Sequence, residues 1–251
     1  MKIFYWSPFI SKVVTVSSVI KSADSIVKYS KKENNINVAI IDAIGEWKNY
    51  KRLIDPKIEI INLNKKNTFE DYIAVAKFLI KKNYTSTGNI IGLGGSAGGL
   101  LMGAVVNQSP ELFLGIIMAV PFVDSLTTNL DHSLPLTVGE LLEFGNAKDN
   151  KKHFDYIYSY APYNNIKKMN YPHMLITTNL SDNRVLFDEP TKFTAKLRDY
   201  KTDNNLLLLK TEMNAGHSGK SGRDNAIEEV ALDYAFALKI SEKLNLSKTW
   251  K

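Results

Sequence analysis

The chain has 251 residues, with 32 Lys and Arg against 26 Asp and Glu, and no cysteine. That length holds one large α/β domain or two small ones, and either buries a sizeable core. Zero cysteine excludes disulfides, thiol nucleophiles and thiolate metal sites, and suits a reducing compartment such as the cytoplasm. The net charge of +6 is modest, and most of it lies in the first 64 residues, which hold ten Lys and Arg against six Asp and Glu. Lys31-Lys32, Lys65-Lys66 and Lys81-Lys82 are short runs without interleaved aromatics. They read as solvated faces or helix ends, so no nucleic-acid partner is expected. The N-terminus carries Pro8 and Lys12 and no small-residue cleavage pattern, and no apolar run reaches the length of a bilayer span. Neither a signal peptide nor a membrane partner is expected, and the chain should be soluble.

In chain order, Lys2 to Phe9 reads as a strand, and the spacing of Val16, Val19, Ile20, Ala23, Ile26 and Val27 predicts an amphipathic helix. Asn37 to Ile44 and Lys57 to Leu63 read as further strands, giving a β-α-β-loop-β opening over residues 1–64. It contains no phosphate-binding glycine fingerprint, so no cofactor is expected. From residue 65 the character changes. Thr68 with Asp71 looks like a capping-box variant before the apolar face Phe69, Tyr72, Ile73, Ala76, Leu79 and Ile80. Gly115 to Phe122, Pro172 to Leu180 and Leu206 to Thr211 read as strands, and Glu189 to Arg198 and Ala226 to Ile240 as helices. Alternation of this kind predicts a parallel sheet with right-handed crossovers, and residues 123–170, with little periodicity, a long insertion.

The stretch Asn89 to Met102 organises this second part. An apolar strand runs into Gly94-Gly95-Ser96-Ala97-Gly98, and a helical stretch follows at once. That is the G-x-S-x-G nucleophile elbow, in which a serine sits on a strained strand-to-helix turn and glycines let neighbouring backbone approach. The pattern alone occurs by chance in roughly one chain in ten of this length. Its strand-helix context is what gives it weight. In this class an acid follows a late strand and a histidine follows the last one. Asp182 and His217 stand at those points, with Asp188 and Asp199 as weaker competitors for the acid. His132, His153 and His173 read as structural, and the bland alternative makes Asp182 a turn cap and His217 part of a mobile glycine loop.

From Lys65 to about Ala237 the chain resembles the C-terminal catalytic part of the oligopeptidase B (protease II) branch of the prolyl oligopeptidase family of serine peptidases. The motifs that carry this are Asn67-Thr68-Phe69-Glu70-Asp71, Gly94 to Gly99, Val120-Pro121-Phe122-Val123-Asp124, Thr137-Val138-Gly139-Glu140 and Ser159-Tyr160-Ala161-Pro162-Tyr163. Leu206 to Lys210, Ala215-Gly216-His217 and Gly219 to Arg223 continue the series. The resemblance implies an α/β-hydrolase fold, a mostly parallel sheet with helices on both faces. It implies Ser96 as nucleophile, His217 as general base, Asp182 as its orienting acid and the Ala97 N–H as an oxyanion donor. It further implies short peptide substrates cleaved after Arg or Lys, with carboxylates pairing the cationic side chain. Glu140 falls on one such position, whereas the second is Leu142, with Glu143 beside it. Arg184 and Val185 resemble a substrate-contacting segment, against the alternatives of a surface arginine and a core valine. Residues 1–64 lack the family's tyrosine-and-glycine segment, and the chain has no room for its β-propeller, so an N-terminally truncated or fused remnant with little activity is the competing expectation. The first sixty or so residues resemble the start of a two-Rossmann-domain glycosyltransferase, through Lys2 to Phe9 and Ser22-Ala23-Asp24-Ser25.

Overall fold

The computed structural model describes residues 2–6, 37–42, 58–62 and 65–242. The expected helix over 16–27 and the segment Ser22 to Ser25 lie outside them. The described residues fall into two compact units, one drawn from 1–67 with 128–157, the other from 68–127 with 158–251.

In the first unit, β1 (Lys2–Trp6), β2 (Asn37–Asp42) and β3 (Ile58–Asn62) form a parallel sheet in that order. Lys2 is opposite Asn37 and Val38 opposite Ile58. These three strands pair with one another in a sheet of their own.

The second unit is built on a four-stranded parallel sheet in sequential order: β4 (Ile90–Gly95), β5 (Phe113–Ala119), β6 (His173–Asn179) and β7 (Leu207–Glu212). β5 and β6 are buried on nearly every residue, the pattern of central parallel strands covered on both faces, whereas β7 alternates half-buried with exposed, as an edge strand does. Two helices cover one face: α1 (Lys65–Lys81) brings Tyr72, and α2 (Ala97–Gln108) brings Met102, to the position of Gly92 on β4. α2 is apolar around its whole circumference, which suits a helix enclosed by its neighbours. The opposite face carries Ile117 and Leu175 and is covered by Phe236 and Ile240 of the last helix, here α7. That helix runs Arg223–Glu242. Between them, α6 (Asp188–Tyr200) packs on β6 and β7 and buries Phe193 and Leu197 completely, a burial of about 1.5–3 kcal/mol for each side chain.

Two expectations need correction, and one stretch gains elements. Thr68 is not a cap: α1 starts at Lys65, so Thr68 already lies within the helix. Within residues 123–170, where no periodicity indicated an element, lie α3 (Ser125–Leu130), α4 (Thr137–Phe144) and α5 (Lys151–Tyr158), helices of six to eight residues. And β5 stops at Ala119 rather than Phe122, because Val120 takes φ 40° and turns the chain out of the sheet. A positive φ at a β-branched residue is a strained conformation.

Candidate active site

The elbow forms because β4 ends in glycines and α2 begins directly behind it. Ser96 sits between them at φ 53°, ψ −120°, outside the usual allowed regions for an L-residue. Backbone hydrogen bonds hold it there from three directions. The Ser96 N–H donates to Ala119 O at 2.9 Å, and Ser96 O accepts from Phe122 N–H at 3.0 Å and Gly99 N–H at 2.8 Å. The strained turn at Val120 is thus the other half of the elbow's support, and no residue pattern signals it.

The glycines divide unequally. A Cβ on Gly94 would lie 2.3 Å from Gly98 O, and one on Gly99 would lie 2.3 Å from Pro121 Cβ, while at Gly98 it would meet nothing within 4 Å. Close approach therefore requires Gly94 and Gly99. The expectation that Gly98 serves this purpose is corrected.

His217 follows β7 and Asp182 follows β6, and His217 bridges Asp182 to Ser96. His217 Nε2 lies 3.1 Å from Ser96 Oγ, and His217 Nδ1 lies 2.8 Å from Asp182 Oδ2. An accepting oxygen at Nδ1 places the ring proton there and leaves the Nε2 lone pair for the serine hydroxyl. Asp182 is buried and its other oxygen, Oδ1, accepts the N–H groups of Arg184 at 2.8 Å and Val185 at 3.0 Å. These two donors fix the carboxylate plane. The contribution of Arg184 and Val185 here is made by their backbone: Val185 is a buried valine and the Arg184 side chain is exposed. Ala97 is the first residue of α2, so its N–H is among the four at a helix start that lack an intrahelical acceptor.

Asp188 and Asp199 lie within α6, away from a strand end. His173 Nδ1 accepts the Leu206 N–H at 2.9 Å and His153 Nδ1 accepts the Asn146 N–H at 2.9 Å, so each holds a backbone segment. Among the described residues no group of three or more His, Asp or Glu is placed to hold a metal, and no helix is long and apolar enough to cross a membrane.

Glu140 and Glu143 belong to the other unit, on α4. Glu143 is buried and paired with Lys65 Nζ at 2.6 Å, and that ammonium lies 4.6 Å from the centre of the Phe144 ring. Burial pushes the Glu143 carboxyl up and the Lys65 ammonium down, in each case against the attraction of the partner. Glu140 is half-buried, and burial first, then the charge of Glu143, pushes its pKa up to about 7.

Comparison with known proteins points to one family. The model of the prolyl oligopeptidase family matches residues 55–243. Protease 2 of Moraxella lacunata is 55% identical over 175 residues, covering 70% of this chain and 25% of that protein, and dipeptidyl aminopeptidase BI of Pseudoxanthomonas mexicana is 46% identical over 175 residues. The solved structure of oligopeptidase B from Leishmania major superposes with a TM-score of 0.69 at 44% identity, over 70% of this chain and 24% of that one. The chain spans about a quarter of the length of these relatives. With a match over most of its own length, and with the elbow and its two partners formed, the chain belongs to the prolyl oligopeptidase family of serine peptidases.

Proposed function

We propose that this chain hydrolyses short peptides after Arg or Lys through an acyl-enzyme on Ser96, in the cytoplasm and without a cofactor. Ser96 Oγ attacks the scissile carbonyl as His217 Nε2 takes its proton, and the same nitrogen then returns that proton to the leaving amine. Water deacylates Ser96 by the reverse sequence. Asp182 holds the imidazole in the required tautomer and supports the imidazolium. The Ala97 N–H and the positive end of α2 face the developing oxyanion, where one lost donor typically costs about 100- to 1,000-fold in turnover. Residues 1–64 are proposed to stand apart as a segment of different character from 65–251; the family match, over 55–243, leaves residues 1–54 outside it.

The observation that carries the reading is the unbroken chain from Ser96 Oγ through His217 to Asp182, with distances of 3.1 Å and 2.8 Å. The basic-residue preference rests on the resemblance to oligopeptidase B at Thr137-Val138-Gly139-Glu140. Arg184 and Val185 are proposed to border the substrate. A reading of low turnover is favoured by one observation: among the described residues β4 pairs only with β5, so the elbow strand is braced by a single neighbour.

Short fluorogenic peptides with Arg, Lys or Leu before the reporter group test the proposal. It predicts faster release after Arg and Lys than after Leu, abolished in Ser96→Ala. Equal rates for all three would remove the specificity, and no release by folded protein would favour the low-turnover reading.

A further inference from the structure

The His217 loop has little packed beneath it. A cleft of about 350 Å³ lies between the sheet and the first half of α7, lined by Thr177, Asn179, Lys210, His217, Glu229 and Asp233 among others. A loop over a cleft takes its position from hydrogen bonds rather than from close-packed side chains, so the bonds around His217 carry unusual weight.

One of them comes from a residue at the end of β6, on the strand that carries the acid. Asn179 ends β6 and is buried. Its side-chain N–H donates to Gly216 O at 2.7 Å, directly before His217, and its own carbonyl accepts the Asp182 N–H at 3.2 Å. Because the partner is a carbonyl oxygen, the amide nitrogen must face it. Gly216 O also accepts the Gly219 N–H at 3.0 Å, closing the turn that presents His217, with Gly219 at φ 81° where a side chain is disfavoured. Beyond that turn, the Lys220 N–H donates to Glu229 Oε1 at 3.1 Å, and Lys220 Nζ pairs with Glu212 at 2.8 Å. These last two contacts fix the far end of the loop, but they do not reach the acid. The Ser181 N–H donates to Ala215 O at 3.2 Å, a backbone tie between the same two loops, and the Asn179 amide adds the side-chain tie, to the residue directly before His217.

We infer that Asn179 is a positioning residue that sets the spacing between Asp182 and His217, acting through Gly216 rather than touching substrate. The inference deepens the reading of Ser96, His217 and Asp182 as a catalytic triad and rests on it. Removing the amide leaves Gly216 O with a single donor and frees the loop to drift over the cleft. A misplacement of about 1 Å costs on the order of 100-fold in rate.

The experiment compares the full chain with Asn179→Ala and Asn179→Asp by two readouts: the rate of fluorophosphonate labelling, and the low-field proton resonance of His217 Nδ1–H. Circular dichroism and thermal melts establish folding first. Asn179→Ala is expected to label about 10- to 100-fold more slowly than wild type, with the Nδ1 proton moved or lost to exchange. Asn179→Asp places a carboxyl where a donor is needed. Protonated, its O–H replaces the amide N–H; ionised, it repels Gly216 O. Its labelling rate relative to wild type at the same pH therefore rises as pH falls from about 8 to about 5.5. Lys210, Glu212, Glu229 and Asp233 face the same cleft, beside Asp182 and His217. Taking wild type at each pH as the reference cancels their common contribution.

Labelling of Asn179→Ala within twofold of wild type with an unmoved Nδ1 proton would overturn the inference, as would a flat Asn179→Asp ratio. If Asn179→Ala does not fold, the Asn179→Asp ratio decides. A wild type that shows the resonance without labelling would defeat the catalytic reading but leave the positioning role to be decided by the resonance, and a wild type showing neither would overturn both.

Discussion

A single methyl group tests the elbow at three neighbouring positions. At Gly94 and Gly99 it would intrude to 2.3 Å on Gly98 O and on Pro121 Cβ, atoms of backbone and ring that have no flexible way to yield. Gly94→Ala and Gly99→Ala are each expected to destabilise the fold by about 1–3 kcal/mol, the usual cost of overpacking, and to slow labelling of Ser96 by about 100-fold or more. Gly98→Ala should do the opposite to stability, adding about 0.5–1 kcal/mol, since it meets open space within α2 and gains helix propensity. Thermal melts and labelling rates on the three variants check this. The motif G-x-S-x-G was legible in the sequence, but which glycine the fold depends on was not. Gly98 and Gly99 are adjacent and chemically identical, and only the approach of Pro121 distinguishes them, a tertiary contact set by how α2 lies against the turn after β5. The positive φ of Val120 is hidden for the same reason: nothing in valine favours that conformation, and the surrounding hydrogen bonds impose it.

The α4 helix carries the electrostatic cluster, and its behaviour follows from burial. Lys65 and Glu143 are both buried, and for each the desolvation of the charged form outweighs the pairing. Removing one partner leaves a lone buried charge, so Lys65→Met should cost about 3–5 kcal/mol in denaturant titrations, while Lys65→Met with Glu143→Leu together should be near neutral or stabilising. Glu140 gives a pH signature. Its folded pKa of about 7 lies above the usual 4.5, so the folded state holds that proton more tightly than the unfolded chain. The stability it contributes is complete below pH 4.5 and is lost as pH rises through 7. Glu140→Gln should flatten the decline measured by denaturation between those limits, and an unchanged slope would reject Glu140 as its source. At this scale periodicity served well where elements are long. The strands at His173–Asn179 and Leu207–Glu212 and the helices Asp188–Tyr200 and Arg223–Glu242 lie within a few residues of expectation. It failed over α3, α4 and α5, whose six to eight residues complete barely two turns and leave no repeat to recognise.

Ser96 and His217 are 121 positions apart, and Asp182 and His217 are 35 apart, yet they meet because β4, β6 and β7 run parallel in one four-stranded sheet whose strand ends share an edge. That convergence was readable before any coordinates: strand order fixes which loops lie together, and the order Ser, acid, His names what to seek in each. What the sequence did not disclose is the scaffolding between the loops. Asn179 has the composition of any strand-end asparagine, and its two bonds to the Asp182 turn and to Gly216 exist only once β6 and the His217 loop are side by side. The account of the molecule as a serine hydrolase stands on Ser96 being a nucleophile activated by His217. Intact-mass spectrometry of the purified chain after treatment with a fluorophosphonate measures that directly. The expected result is one adduct per chain, mapped to Ser96, absent in Ser96→Ala and strongly slowed in His217→Ala; a folded wild-type chain that forms no adduct, or forms it equally fast without His217, would contradict it.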